Sequence, residues 1–219
     1  SLHDALPILY LHGFASSPNS TKAGYFAGRF RHHGLAFLCP DLNEPDFSTL
    51  TMTRMLDRVG REIEAVDEAT VTLMGSSLGG TLAVLAAERF GARIEHLILL
   101  APAVMFAKPG HHLLPPERIE EWRRRGALPF FHYGDNHERQ LGVEFFEDSL
   151  RHDAFAATFG QPTLIFQGLH DQSVDARTVE QFAYGRRNVT LSLLDDDHQL
   201  IKSLPRIWTD VEAFLGLVD

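Results

Sequence analysis

Six short apolar runs punctuate the chain: Ile8–Leu11, Ala36–Cys39, Val71–Met74, His96–Leu100, Thr163–Phe166 and Thr190–Leu194. None alternates strictly with polar residues, which is the pattern of a strand covered on both faces. The segments between them carry helical period. Ala23, Phe26, Ala27 and Phe30 fall at i, i+3, i+4 and i+7, and Gly34 ends that stripe. Met52, Met55, Leu56, Val59, Ile63 and Val66 form a second face, Leu78, Leu82, Leu85 and Ala86 a third, and Ile201, Leu204, Trp208, Val211 and Leu215 a last. Strands alternating with helices predict an α/β fold: a mostly parallel sheet of six strands with right-handed crossovers, flanked by helices.

One stretch breaks the rhythm. Between Leu100 and Thr163 lie about sixty residues, too many for a simple crossover. The stretch holds Pro102, Pro109, Pro115, Pro116, Pro129 and Pro162, and one charged helix candidate, Pro116 to Arg125, stopped by Gly126. It reads as a short helical cap, residues 102–162, inserted in a single domain that runs from 8 to 219. Ser1 to Pro7 has no initiator Met and no charged-then-apolar layout. It reads as a foreign or disordered leader and carries no argument about location.

Composition narrows the function classes. The 219 residues carry 20 Lys and Arg against 29 Asp and Glu, a net charge of −9, with no basic block to offset it. That speaks against a nucleic-acid partner. The longest apolar stretch, Leu97 to Ala107, is 11 residues long and includes Pro102, too short to span a bilayer as a helix. A lone cysteine, Cys39, excludes an internal disulfide framework and suits a reducing, cytoplasmic setting.

The sharpest chemistry is Gly75-Ser76-Ser77-Leu78-Gly79-Gly80. It follows the Val71 strand directly and opens the next helix, the context of a nucleophile elbow centred on Ser77. Ser76 is the rival nucleophile but sits off the centre of the pattern. A serine hydroxyl needs a base, and the chain offers 12 histidines. His198, in Asp195-Asp196-Asp197-His198, follows the last strand, so a parallel sheet delivers it to the elbow's edge. Asp171, just past the Thr163 strand, arrives at the same edge and is the expected orienting carboxylate. Asp175 is its nearest competitor and is expected to cap a helix from Ala176. The backbone N–H groups of Leu78 and of Phe14, in Leu11-His12-Gly13-Phe14, are the expected oxyanion donors, with His12 structural.

Those motifs, with Gly168-Leu169-His170-Asp171-Gln172-Ser173-Val174, resemble the α/β-hydrolase superfamily. Residues 11–23, Leu-His-Gly-Phe-Ala-Ser-Ser-Pro-Asn-Ser-Thr-Lys-Ala, are similar to the short bacterial YqiA-like esterases. The resemblance implies a serine esterase without metal or organic cofactor, acting on a small-molecule ester or thioester. It also implies Ser77 as nucleophile, Asp171 as acid, His198 as base, and Phe14 and Leu78 as oxyanion donors. An acyl-thioesterase, including protein S-deacylation, shares this machinery. A peptidase or amidase and a catalytically silent binding fold are the remaining alternatives. His111-His112 and His132…Asp135…His137 are the metal candidates, but neither has a third ligand at a convincing spacing, so no metal is expected. No dinucleotide or phosphate-binding glycine motif occurs. Among the cap's aromatics, Trp122 and Phe131 are the expected substrate contacts.

Overall fold

The computed structural model describes residues 6–67 and 69–217. The expected leader lies outside the described residues as far as residue 5. Pro7 already belongs to the sheet, its carbonyl accepting from the Thr72 N–H at 3.0 Å. All six apolar runs are strands: β1 (Ile8–Leu11), β2 (Phe37–Leu38), β3 (Val71–Ser76), β4 (Ile94–Leu100), β7 (Thr163–Gly168) and β8 (Val189–Leu194). Two more, β5 (Ala127–His132) and β6 (His137–Gly142), lie in the insertion. The main sheet runs β2-β1-β3-β4-β7-β8, with every neighbouring pair parallel. The chain leaves β1 outward to β2 and returns on the other side as β3. That reversal opens a crevice at the carboxyl ends of β1 and β3.

The strands are apolar throughout because both faces are covered. Leu9, Leu11, Leu73, Leu97, Leu99 and Ile165 point to one side, against α2 (Met52–Ala65) and α3 (Leu78–Arg89). Ile8, Tyr10, Met74, Ile98, Leu100 and Phe166 point to the other, against α1 (Thr21–His32) and α7 (Leu204–Leu215). Local chemistry sets the helix ends. Ser20 and Thr51 accept from the amides of Ala23 and Arg54 as N-caps. Gly126, at φ 79°, closes α4 (Pro116–Arg125) where the sequence predicts. The last helix begins at Leu204, after the predicted start at Ile201, whose side chain is exposed. No helix among the described residues is long and apolar enough to cross a membrane.

The insertion between β4 and β7 is not purely helical. Besides α4 and the short α5 (Glu144–Ser149), it contains the antiparallel hairpin β5–β6. Pro129 lies inside β5, opposite Gln140. A proline usually argues against a strand, but in a two-stranded ribbon both strands have a free edge. Between β7 and β8 the chain forms α6 (Ala176–Ala183).

Candidate active site

The turn after β3 is tight and strained. Ser77 sits at φ 54°, ψ −115°, a strained conformation for a residue with a Cβ. Its N–H donates to the Leu100 carbonyl at 2.9 Å, and its own carbonyl accepts from Gly80 and Ala103 at 2.9 and 3.1 Å. The neighbours must be glycine. A Cβ on Gly75 would lie 2.3 Å from the Gly79 carbonyl oxygen, and one on Gly79 only 1.9 Å from the Leu11 carbonyl oxygen. With no side chains there, α3 starts hard against β1 and β3, and Ser77 stands at the head of that helix.

The loops after β7 and β8 bring in the partners. His198 Nε2 lies 3.1 Å from Ser77 Oγ, and His198 Nδ1 lies 2.7 Å from Asp171 Oδ2. Asp171 is fixed on every side. Its Oδ1 accepts from the amides of Ser173 and Val174, each at 2.8 Å, and its Oδ2 also accepts from Gln167 Nε2 at 3.1 Å. Burial pushes the Asp171 carboxyl up. The hydrogen bonds from His198 and the Val174 and Ser173 amides outweigh it and hold the group below its ordinary range, so it stays ionised. Gly168 keeps the two loops together, because a Cβ there would meet the Asp196 and Asp197 carbonyl oxygens at 2.5 Å each.

The other candidates separate cleanly. Ser76 is buried within β3. Cys39 is half-buried, and burial pushes its thiol up to about 12, which leaves it a poor nucleophile. His12 is buried, its Nε2 accepting from the Leu42 amide at 2.9 Å and its Nδ1 2.9 Å from the Gly13 carbonyl oxygen. Asp175 caps α6 by accepting from the Arg177 amide at 3.0 Å.

A family model described as the uncharacterised protein family UPF0227 matches residues 7–215. The chain belongs to the UPF0227 family. No curated protein sequence matches it. Among solved structures, this UPF0227 chain is similar to Est1E from Butyrivibrio proteoclasticus with bound ferulic acid, at 22% identity and TM-score 0.81, covering 96% of this chain and 88% of that one. Mouse alpha/beta hydrolase domain-containing protein 10 is similar at 21% identity and TM-score 0.79, with 97% and 90% covered. A monoacylglycerol lipase from Paleococcus ferrophilus follows at 14% identity and TM-score 0.76, with 96% and 95% covered. Likeness at these identities establishes the fold, which is the α/β-hydrolase fold.

In the UPF0227 chain a cavity of about 310 Å³ opens over Ser77. Phe14 and Leu78 line it, and neither of their amides is spent on a backbone carbonyl among the described residues. Its apolar wall is Phe14, Met105, Phe106, Leu113 and Val174; His111 and His112 stand on the polar side. Trp122 and Phe131, the aromatics singled out in the sequence, line no part of it. Trp122 is buried in the insertion's own core, packed on Phe130 with its indole N–H donating to the Leu141 carbonyl at 2.8 Å. Phe131 lies on the exposed face of β5 beside Tyr133. Their places go to Phe106 and Met105, which the chain presents soon after it leaves β4.

Two of the metal candidates make local contacts. His132 Nδ1 accepts from the Asp135 amide at 3.1 Å, and His137 Nδ1 lies 2.8 Å from the Glu138 carbonyl oxygen. Among the described residues no three His, Cys, Asp or Glu side chains converge on one point. Sequence reasoning missed Gln167. A fully buried glutamine in a strand is its one visible mark, and its amide ties Asp171 to the Val174 carbonyl at 3.0 Å.

Proposed function

We propose that the protein is a serine hydrolase that cleaves small carboxylic esters through an acyl-enzyme. The observation that carries this reading is the unbroken chain Ser77 Oγ to His198 Nε2 to Asp171, built on a serine at positive φ. In this scheme His198 takes the Ser77 proton as Oγ attacks the ester carbonyl carbon, and Asp171 holds the imidazole tautomer with Nε2 free. The carbonyl electron pair moves onto oxygen, and the amides of Phe14 and Leu78 stabilise the resulting oxyanion. Collapse breaks the bond to the alkoxy group, which leaves as an alcohol with the proton from His198. Water then repeats the sequence on the acyl-enzyme and releases the acid. Side chains, backbone amides and water suffice. The esterase and lipase named among the structural neighbours fit the same chemistry.

A fluorophosphonate probe tests the reading. Stoichiometric labelling at Ser77, abolished by prior acid denaturation, is the expected result; labelling at Ser76 or none at all sinks it. The cavity predicts a selectivity experiment as well. Phe106→Ala should move the acyl-length preference, because a burying pocket discriminates by about 1 kcal/mol or more per methylene. Trp122→Ala should leave that profile in place and instead cost about 3–5 kcal/mol of stability as a core cavity. Rates on an ester series of graded length, read beside denaturant melts, check both.

A further inference from the structure

Gln167 is an odd residue for a strand covered on both faces. It is fully buried near the end of β7, two positions on from Ile165 and so on the same face, where an apolar side chain would be the ordinary choice. Its Oε1 is buried and has no hydrogen-bond partner among the described residues. A polar atom left in that state costs stability and calls for an explanation in what the rest of the group does.

The explanation lies on the nitrogen of the same amide. Gln167 Nε2 is within hydrogen-bond reach of three oxygens: Asp171 Oδ2 at 3.1 Å, the Val174 carbonyl at 3.0 Å and the Gly168 carbonyl at 3.2 Å. All three are acceptors, so only the donor end of the amide can face them. Asp171 Oδ2 is also the oxygen that meets His198 Nδ1, at 2.7 Å. The other oxygen, Oδ1, accepts from the Ser173 and Val174 amides at 2.8 Å each. Val174 is therefore gripped twice, its N–H by Asp171 and its carbonyl by Gln167, which closes the loop 168–174 around the carboxylate. The terminal torsion of an aspartate is soft, so a carboxylate pinned at Oδ1 alone can still swing its second oxygen. The bond from Gln167 to Oδ2 removes that freedom.

We propose that Gln167 is a positioning residue for the proton relay: its amide fixes Asp171 Oδ2 where that oxygen holds the His198 imidazole toward Ser77. The inference rests on the triad reading and adds to it a residue that touches no substrate. Gln167 lines no part of the cavity over Ser77, so its effect belongs in kcat rather than in KM.

Gln167→Met keeps the length of the side chain and removes the donor together with the unpartnered oxygen. The expected result is a kcat about tenfold lower, the scale on which one hydrogen bond to a charged group acts, with KM and melting temperature near their wild-type values. In an Asp171→Ala background the same substitution should lower kcat no further, because the group it positions is gone. A variant that melts early with kcat intact makes Gln167 merely structural and overturns the proposal. So does a kcat loss of the same size in the Asp171→Ala background. If Gln167→Met does not fold, the wild type decides. Phosphonylation of Ser77 by a fluorophosphonate changes the load on the His198–Asp171 contact, so the Gln167 side-chain amide resonances should shift when the adduct forms. The labelling itself reports the hydrolase reading. No adduct at Ser77 sinks that reading and this inference with it, whereas an adduct that leaves the Gln167 amide unmoved sinks this inference alone.

Discussion

Ser77→Ala and His198→Ala should each lower kcat/KM by at least about a thousandfold, and the double variant should be scarcely worse than either single one. In the proposed reaction both side chains serve one proton transfer over a 3.1 Å contact, so losing either end removes the whole relay. In the same proposal, what activity remains is assigned to the amides of Phe14 and Leu78 and to binding, which neither substitution touches. Steady-state rates on a short-chain ester, with melting curves to show that the fold persists, make the measurement. Additive losses in the double variant would mean that the two residues act independently and that the relay is misassigned.

The second large effect is structural. Gly79→Ala places a methyl group 1.9 Å from the Leu11 carbonyl oxygen. That oxygen belongs to a central strand, with Leu11 in register with Gly75 on β3, so it has nowhere to retreat. The start of α3 must move instead, and with it the elbow. A loss of about 4 kcal/mol or more is expected, at the extreme of what one substitution does. Gly28→Ala in α1 is the natural control. Nothing lies within 4 Å of the added methyl, and the change should stabilise the helix by about 0.5–1 kcal/mol. Denaturant melts of the two variants give opposite signs if the elbow carries the strain described.

The sheet and the relay were legible for the same reason. Buried parallel strands are short and apolar on both faces, as Val71–Met74 and Thr163–Phe166 are, and parallel connection then delivers every strand's trailing loop to one edge. Ser77, Asp171 and His198 each follow a strand, so they could be assembled without coordinates. The insertion was not legible in this way. Its hairpin pairs an apolar strand with the polar His137–Gly142, and Pro129 interrupts the pattern. Which of its rings meets the cavity depends on how the segment closes over the sheet, a long-range fact absent from local spacing. Trp122 and Phe106 are both large and apolar, yet one is core and the other is wall. Gln167 escaped for a related reason. It is ordinary in sequence and becomes unusual only once burial is known.

Phe14 joins the two halves of the molecule mechanically. It lines the cavity over Ser77, while its ring is wedged among Phe47, Phe130 and Phe145, two of which belong to the insertion. The hairpin holds the same loop from its far end, where the Tyr133 amide donates to the Ala15 carbonyl at 2.7 Å. The segment above the serine is thus no hinged cover resting on finished machinery. Whatever repacks it, whether a longer acyl chain or a substitution well away from the serine, pulls on the peptide proposed to meet the oxyanion. In the proposed reaction, substrate fit and turnover are then geared together, so a substitution in the insertion is expected to alter rate as well as substrate choice.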